Sequence, residues 1–483
     1  MDMTPLLPSE IWDRTPPEAQ ALLVSLATRV VTLEATVQAL TEQLHQDSRT
    51  SSRPPSSDAP ARQRPRRRRQ PSGRRPGGQP GHPGQTRELL PVEEVDEVIV
   101  LHPTCCAQCQ QPLDGDDPQP QRHQVFEIPP MQPVVTEYQL HRLACPGCGE
   151  TTQAAWPAGV PRGMIGPRAQ AVGSLCTGAY RLSKRTTQRL LDDLFGLEVS
   201  VGTISHLEAA TTAAVAAPVE EARTFVQAQS SAHLDETGWR EGRQRAWLWV
   251  AATTWVTVFL VRLSRGGQVA RDLLGEAFDG ILVTDRWSAY NWYPVRWRQL
   301  CWAHLLRDIE AMIERGGGSQ EIGEALKHQA QKMFHWWHRV RDGTLSRSSF
   351  RSYMSPVRRE VERLLEVGTT CGVPKTEGMC REILKLRQAL WTFVHLAGVE
   401  PTNNTAERAI RPGVLWRKGS FGTHSAQGSR FVEAMMTVVA TLTQQQRHVL
   451  EYLTAACEAA LRNEPAPSLL PESQETPADQ IAA

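Results

Sequence analysis

Cysteine is scarce, long hydrophobic runs are missing and net charge is almost nil. Each shortage removes a class of protein. Ten cysteines in 483 residues are too few for a disulfide-built scaffold. The longest uncharged apolar run, Ala246 to Val261, falls short of the ~20 residues a membrane helix needs. Its Thr253-Thr254 break and β-branched content predict two hairpin strands instead. No basic segment followed by an apolar core opens the chain, so no secretory signal is expected. These absences point to a soluble, cytoplasmic protein of bacterial type. A chain of this length has room for two to four domains, at roughly 100–200 residues each.

A formal net charge of +1 hides a sharp local imbalance. Between Arg62 and Arg75 there are eight arginines and no acidic residue. They lie in a Ser/Pro/Gly/Arg tract, 47–87, which cannot bury enough apolar surface to fold alone. Such a tract is a solvated linker, and it also binds phosphates by counterion release without sequence preference. Before it, Leu23, Leu26, Val30, Leu33, Val37, Leu40 and Leu44 mark an a/d heptad seam. The seam predicts a helix over 18–46 that either packs on its own domain or, the reading favoured by the polar tract that follows, pairs with other copies as a coiled coil in a homodimer or higher oligomer.

Four of the cysteines fall in two CxxC pairs, Cys106/Cys109 and Cys145/Cys148, flanking a strand-like stretch around Val134 to Leu143. Four thiolates suit tetrahedral structural zinc. A redox dithiol needs only one such pair. Cys105 is an alternative ligand but lacks the spacing. From Gly166 to about Ala216, helical periodicity with a glycine turn predicts either a helix-turn-helix or an ordinary helical hairpin, with Ser200 capping its second helix.

The segment Ser231 to Tyr290 reads as α/β. Ala232-His-Leu-Asp-Glu is a strand ending in acids, two meander strands and a helix (Gln268 to Phe278) follow, and Gly280 to Asp285 is a buried strand tipped by an acid. Leu300 to His304 starts another strand that runs into a helix. This is the order of a ribonuclease-H-like fold, which sets acids on adjacent strand ends. A third acid lies in Pro401-Thr-Asn-Asn-Thr-Ala-Glu-Arg-Ala-Ile-Arg-Pro412. There Thr405 is expected to cap a helix opening at Ala406, with Glu407 and Arg411 on one face and Pro412 limiting its run. A helical insertion from about Gly317 to Leu396 must separate Asp285 from Glu407, with Trp336, Trp337 and Trp391 in its core. Asp235, Asp285 and Glu407 suit two hard divalent ions, Mg²⁺ or Mn²⁺, for phosphodiester chemistry. Among nearby acids, Glu236 is expected to face the other way along its strand, and Asp279 to sit at the wrong strand end. His304 and Asp308 are left as neighbours of the site.

At these residues the chain resembles the insertion-sequence family sixty-six transposases. The resemblance rests on SSRPPSSD (Ser51 to Asp58), GGQPGHPG (Gly77 to Gly84), the paired CxxC, SVGTIS (Ser200 to Ser205), HLDETGW (His233 to Trp239), VTDRWSAY (Val283 to Tyr290), CWAH (Cys301 to His304), NNTAERAIRP (Asn403 to Pro412) and the tail from Pro467 to Pro471. It runs from about Val37 to Pro471. One departure is Arg286-Trp287, where the family leads one to expect glycine and tyrosine. The resemblance implies Asp235, Asp285 and Glu407 as catalytic acids, terminal inverted repeats as substrate, and small accessory proteins encoded beside the enzyme.

The fold expected is multidomain and mostly α/β: a ribonuclease-H-like catalytic core with a helical insertion, preceded by a coiled coil, a zinc ribbon and a helical DNA-binding region. Beyond the segments already bounded, its parts are the ribbon at 88–158, the helical region at 159–225, the core at 226–316 and 399–445, the insertion at 317–398 and a C-terminal element at 446–483. DNA contacts are expected from Arg66, Arg67, Arg68, Arg69, Arg74 and Arg75, and from Arg411 and Lys418 on the Glu407 helix. The rival readings are a nuclease of the same fold that does not join strands, and a zinc-dependent DNA-binding regulator.

Overall fold

The structure, a computed structural model, describes residues 9–12, 14–45 and 87–471. The arginines between Arg62 and Arg75 lie outside the described residues, as does all of 472–483. Two compact units form: residues 60–135 with 194–196, and the remainder.

Within the first unit, Cys106 opens a tight turn. Gln110 N–H donates to Cys106 O at 2.9 Å and Cys106 N–H to Gln111 O at 2.8 Å, with Gln110 left-handed at φ +60°.

The second unit contains everything else. Helix α1 is a single turn, Ser9–Trp12, and α2 spans Pro17–His45. On α2 the seam residues Leu26, Val30, Leu33 and Val37 are exposed. The stretch Pro17–Gln38 is long and apolar enough to cross a membrane, a match missed when only uncharged runs are counted, because Arg29 and Glu34 interrupt it. Strands β1 (Arg142–Ala144) and β2 (Thr151–Gln153) pair antiparallel. The strand expected from Val134 thus begins only at Arg142, where a partner strand first becomes available. Between β1 and β2, Cys145 repeats the turn of Cys106: Gly149 N–H donates to Cys145 O at 2.8 Å and Cys145 N–H to Glu150 O at 2.7 Å.

Four helices follow: α3 (Pro167–Gly178), α4 (Lys184–Phe195), α5 (Val201–Ala214) and α6 (Ala216–Gln227). Ser200 Oγ accepts the Thr203 N–H at 3.0 Å, so the expected cap of α5 is present. Lys184 on α4 reaches Glu208 on α5 at 2.7 Å.

The central sheet has five strands: β3 (Ser231–Glu241), β4 (Gln244–Ala252), β5 (Thr257–Arg262), β6 (Ile281–Thr284) and β7 (Arg298–Leu300). Their spatial order is β5-β4-β3-β6-β7. The first three form an antiparallel meander, and β6 and β7 run parallel to β3. Helix α7 (Gly267–Leu274) makes the crossover from β5 to β6. Helices α8 (Trp302–Glu314), α9 (Gly317–Arg341), α10 (Arg347–Gly368), α11 (Pro374–Lys385) and α12 (Thr392–His395) precede α13 (Asn404–Ser420), α14 (Ala426–Gln444) and α15 (Val449–Arg462).

Both faces of the sheet are covered, as its apolar strands require. Leu234, Trp249, Leu260 and Leu282 pack on one face against α3, α6, α7, α14 and α15. Leu248, Val250, Phe259 and Val261 face the other way, onto Ala406 and Ile410 of α13 and Val432 and Met436 of α14. The insertion has its own core around Trp391, Phe350, Phe393 and Met333, continuous with Val283 and Leu300 of the sheet. Trp336 and Trp337 pack against it from the side.

The edge strand β5 is sealed by α14 rather than by another strand. The backbone N–H groups of Thr257, Phe259 and Val261 donate to the side chains of Thr441 (3.1 Å), Thr437 (3.0 Å) and Glu433 (2.6 Å). Two strand residues advance about 6.7 Å and four helix residues about 6 Å, so the two periods stay in step. The strand's free donors are thereby satisfied and its edge is closed to another chain.

Where the sheet meets its crossover, Gly280 leaves no room for a side chain. A Cβ there would lie 2.5 Å from Gln229 O and 2.8 Å from Ser230 C, both backbone. Gly280→Ala is expected to cost about 1–3 kcal/mol through overpacking, by pushing the start of β6 away from β3. A denaturant melt showing an unchanged midpoint would contradict this.

Candidate active site

Strand register brings the first two acids together. β3 and β6 pair as Ser231↔Ile281, Ala232↔Leu282 and His233↔Val283. Two more residues along each strand come Asp235 and Asp285, on the same face of neighbouring strands. Asp285 is held in place by its own chain, since its Oδ1 accepts the Trp287 N–H at 2.8 Å. Arg286, the residue that departs from the family pattern, turns away and binds Asp308 through Nε (3.2 Å) and Nη2 (2.9 Å). Asp308 is therefore neutralised by an ion pair outside the aspartate pair.

The third acid arrives through Asn403, which is fully buried. Its Nδ2 donates to the carbonyl of Leu234, next to Asp235, at 2.7 Å. Its Oδ1 lies 3.0 Å from His233 Nδ1, and its backbone N–H donates to Cys301 Sγ at 3.1 Å. Cys301 in turn donates its N–H to the carbonyl of Thr284, next to Asp285, at 2.8 Å. Trp302 N–H reaches Pro401 O at 2.9 Å. The first turn of α13, which carries Glu407, is thus tied to both aspartate strands.

Two details of that helix differ from expectation. It opens at Asn404, not Ala406, and Asn403 makes no side-chain cap, because its amide is already committed to Leu234 and His233. Pro412 lies inside the helix rather than ending it. The second half continues because tertiary contacts hold it. Trp416 packs edge-on against Trp239 with centroids 6.4 Å apart. Arg417 donates to Gly238 O at 2.6 Å.

The electrostatics record the crowding of carboxylates. Burial drives the Asp235 carboxyl well above its usual range, and the charges of Glu236, Asp285 and Glu407 push it further. Burial also raises Asp285, against the pull of the Trp287 N–H and of Arg265, Arg298 and Arg286. Arg298 is itself fully buried; it donates to Thr284 Oγ1 and to Asp285 O, and burial lowers it to about 10. His233 and His304 are both brought down to about 4 by burial, so both rings are neutral at pH 7. Such a cluster of partly desolvated acids is what a divalent cation stabilises, and oxygen donors fit a hard one.

Glu236 does face away from Asp235, but not into solvent, because that face of the sheet is covered too. Its carboxylate accepts a short hydrogen bond from the Tyr290 hydroxyl and pairs with Arg265 at 2.8 Å. Burial and the Asp285 charge push it up to about 7. It is a buried, partnered acid rather than a bystander. Asp279 precedes β6, at the end opposite Asp285, as expected. Arg411 and Lys418 are exposed on α13. The sequence reading passed over Asn403, Cys301, Arg265 and Arg298. Asn403 and Cys301 stood inside quoted motifs, but nothing in their spacing reveals a buried amide bridging two strands.

The two cysteine turns are alike in chemistry as well as shape. Cys106 is lowered by the N–H groups of Cys109 and Gln108, and Cys145 by those of Cys148 and Gly147. Backbone donors aimed at sulfur favour the thiolate that zinc requires.

Residues 174–430 match the model of the Transposase IS66 family. That is more than half of the chain and includes all three acids. The protein belongs to the IS66 transposase family. Residues 103–149 of this transposase match the zinc-finger binding domain of transposase IS66, which covers both cysteine turns. Residues 7–88 match a family of unknown function, DUF6444. An uncharacterised Sinorhizobium fredii protein, y4qI, is 28% identical over 240 residues. The chain spans 43% of that relative's length, and the match takes in 44% of the transposase.

The raised acids set a pH dependence. For Glu236 the folded value, about 7, lies above the unfolded 4.5. Its contribution to stability is therefore complete below the unfolded value and is lost as pH rises through the folded one. A shift of this size corresponds to on the order of 3 kcal/mol. Asp235 and Asp285 act in the same direction. Without added cation, the transposase should melt at lower temperature as pH rises from about 4.5 past 7. Added Mg²⁺ should restore more of that loss at pH 8 than at pH 5, and less of it in Asp285→Asn. Equal Mg²⁺ effects at both pH values would contradict this.

Proposed function

We propose that this transposase binds the ends of an insertion sequence, hydrolyses their 3′ strand ends and joins them to target DNA, with Asp235, Asp285 and Glu407 holding Mg²⁺ or Mn²⁺. The observation that supports the reading is that the charges of Asp285 and Glu407, from distant chain segments, both act on the Asp235 carboxyl, while Asn403 and Cys301 tie the turn that carries Glu407 to both aspartate strands. The strand order, an antiparallel trio followed by two parallel strands, agrees with a ribonuclease-H-like core, in which acids at adjacent strand ends share metal.

Two divalent ions, when bound, supply activation of the attacking oxygen and stabilisation of the leaving one. The chain's own part is to position. Trp287 N–H and the Arg298 guanidinium restrain Asp285 and its strand end. Asn403 holds Glu407's helix against β3. Neutral His233 keeps its ring on Asn403 instead of competing for the carboxylates. No serine or cysteine nucleophile is needed, since water and then a DNA 3′-hydroxyl attack.

The remaining parts serve the DNA. Arg411 and Lys418, exposed on the helix of Glu407, meet phosphates near the site. Arg66, Arg67, Arg68, Arg69, Arg74 and Arg75 grip any duplex by counterion release. Helices α4 and α5 act as a helix-turn-helix, and Cys106, Cys109, Cys145 and Cys148 hold one structural zinc. The apolar seam of α2 is covered by a second copy, making a dimer. Small accessory proteins of the same element complete the assembly, which works on DNA in the bacterial cytoplasm.

The test is a strand-transfer assay on pre-cut element ends with Mg²⁺. Asp285→Asn and Glu407→Gln should abolish both hydrolysis and joining while DNA binding stays near normal. Asn403→Ala should lower activity by about 10–100-fold, the usual cost of losing a group that orients a ligand. Asp279→Asn should act like the unmodified protein. Joining by Glu407→Gln at the unmodified rate would overturn the reading, and hydrolysis without joining by the unmodified protein would make it a nuclease.

A further inference from the structure

Beside the aspartate pair stands a second group of donors with different chemistry. Cys301, His304 and Glu407 bring a sulfur, a ring nitrogen and a carboxylate oxygen all within 4.8 Å of one another. Cys301 is the N-cap residue of α8 and His304 lies in its first turn, while Glu407 comes from α13. Glu407 Oε1 lies 3.9 Å from Cys301 Sγ and 3.3 Å from His304 Nδ1. Tetrahedral zinc with bonds of about 2.0–2.3 Å holds its donors roughly 3.3–3.8 Å apart, so these spacings need little adjustment.

His304 Nδ1 also calls for an explanation. It is buried and has no hydrogen-bond partner, although Glu407 lies within ion-pair distance. A histidine present only to orient Glu407 would align with it. Here the nitrogen is close to Glu407 at 3.3 Å but makes no hydrogen bond with the chain. The backbone that carries the donors is braced, with Cys301 N–H on Thr284 O (2.8 Å) and Asn403 N–H on Cys301 Sγ (3.1 Å). The donors are therefore held in position before any ligand arrives.

We propose that Cys301, His304 and Glu407 form a binding site for a zinc-class divalent cation, beside the hard-cation site and sharing Glu407 with it. One sulfur, one imidazole and one carboxylate select a borderline ion over Mg²⁺. A fourth position stays open to water. On binding, the Cys301 thiol releases its proton to solvent and its sulfur coordinates as thiolate. His304 gives its Nδ1 lone pair and keeps its proton on Nε2. The opposing charge is Arg307, 3.9 Å from Glu407 Oε1 and partly exposed, which can turn outward. Glu407 would belong to both sites, so filling this one takes a ligand from the magnesium set and inhibits the enzyme. That consequence rests on the transposition reading, but the site itself does not.

Cadmium NMR of the cadmium-loaded full chain, without DNA or Mg²⁺, reads the donor set of each bound ion. The expected result is two resonances, one from four thiolates and a second from a mixed sulfur, nitrogen and oxygen set. Cys301→Ser and His304→Gln should each lose the second and keep the first, with an unchanged thermal melt of the metal-free variants showing that the core remains folded. The proposal is overturned if the unmodified chain gives no mixed-donor resonance, or if that resonance survives in either variant. Because no strand cleavage is measured, this outcome is independent of whether the protein transposes.

Discussion

One buried amide joins three parts of the chain that are far apart in sequence. Asn403 spends its side chain on the Leu234 carbonyl and the His233 ring, and its backbone N–H on Cys301, whose own N–H holds the end of β6. Two of these bonds end one residue from an acid, at Leu234 beside Asp235 and at Thr284 beside Asp285. Without this bridge nothing local would bring Glu407 to the aspartates, since the whole helical insertion lies between. Leaving the Leu234 carbonyl and the Asn403 partners unmet would cost about 1–3 kcal/mol, which is large beside the net stability of a domain.

The bridge works against electrostatics. Burial raises Asp235 and Asp285, and the charges of Glu236, Asp285 and Glu407 push Asp235 further, so the chain bears a standing penalty where it gathers them. The surroundings offset it only in part. Arg265 takes up Glu236, Arg298 lies behind Asp285, and Arg286 removes Asp308 by pairing with it. Cohesion comes from elsewhere: a sheet covered on both faces, an edge strand sealed by α14, and an insertion with its own aromatic core. Rigid surroundings and a crowded, charged centre are the usual division at a functional site.

Much of this was legible in the sequence wherever a local rule applied. Alternation along His233-Leu-Asp-Glu and the buried run before Asp285 give β3 and β6, and the Thr253-Thr254 break marks the β4–β5 turn. Ser200 announced its cap, and the spacing of acids announced the insertion. The reading failed where tertiary contacts overrule local preference. Pro412 ought to stop a helix, yet Trp416 and Arg417 bind the second half to β3. Thr405 ought to cap, yet the helix starts earlier because Asn403 is anchored across the sheet. Glu236 faces away from Asp235 as alternation requires, but its partners Tyr290 and Arg265 were not foreseen, since alternation says which face a residue takes but not what covers that face. The strand at Val134 shortened for want of a partner.

Iron can report directly whether the three segments converge on one cation. Fe²⁺ in place of Mg²⁺, with ascorbate and peroxide, generates hydroxyl radicals at the bound ion and cuts the backbone beside it. The account predicts cuts near Asp235, near Asp285 and near Glu407 in the same preparation, all suppressed by excess Mg²⁺. Cuts at the two aspartates that leave the start of α13 intact, or cuts that Mg²⁺ does not compete away, would contradict it.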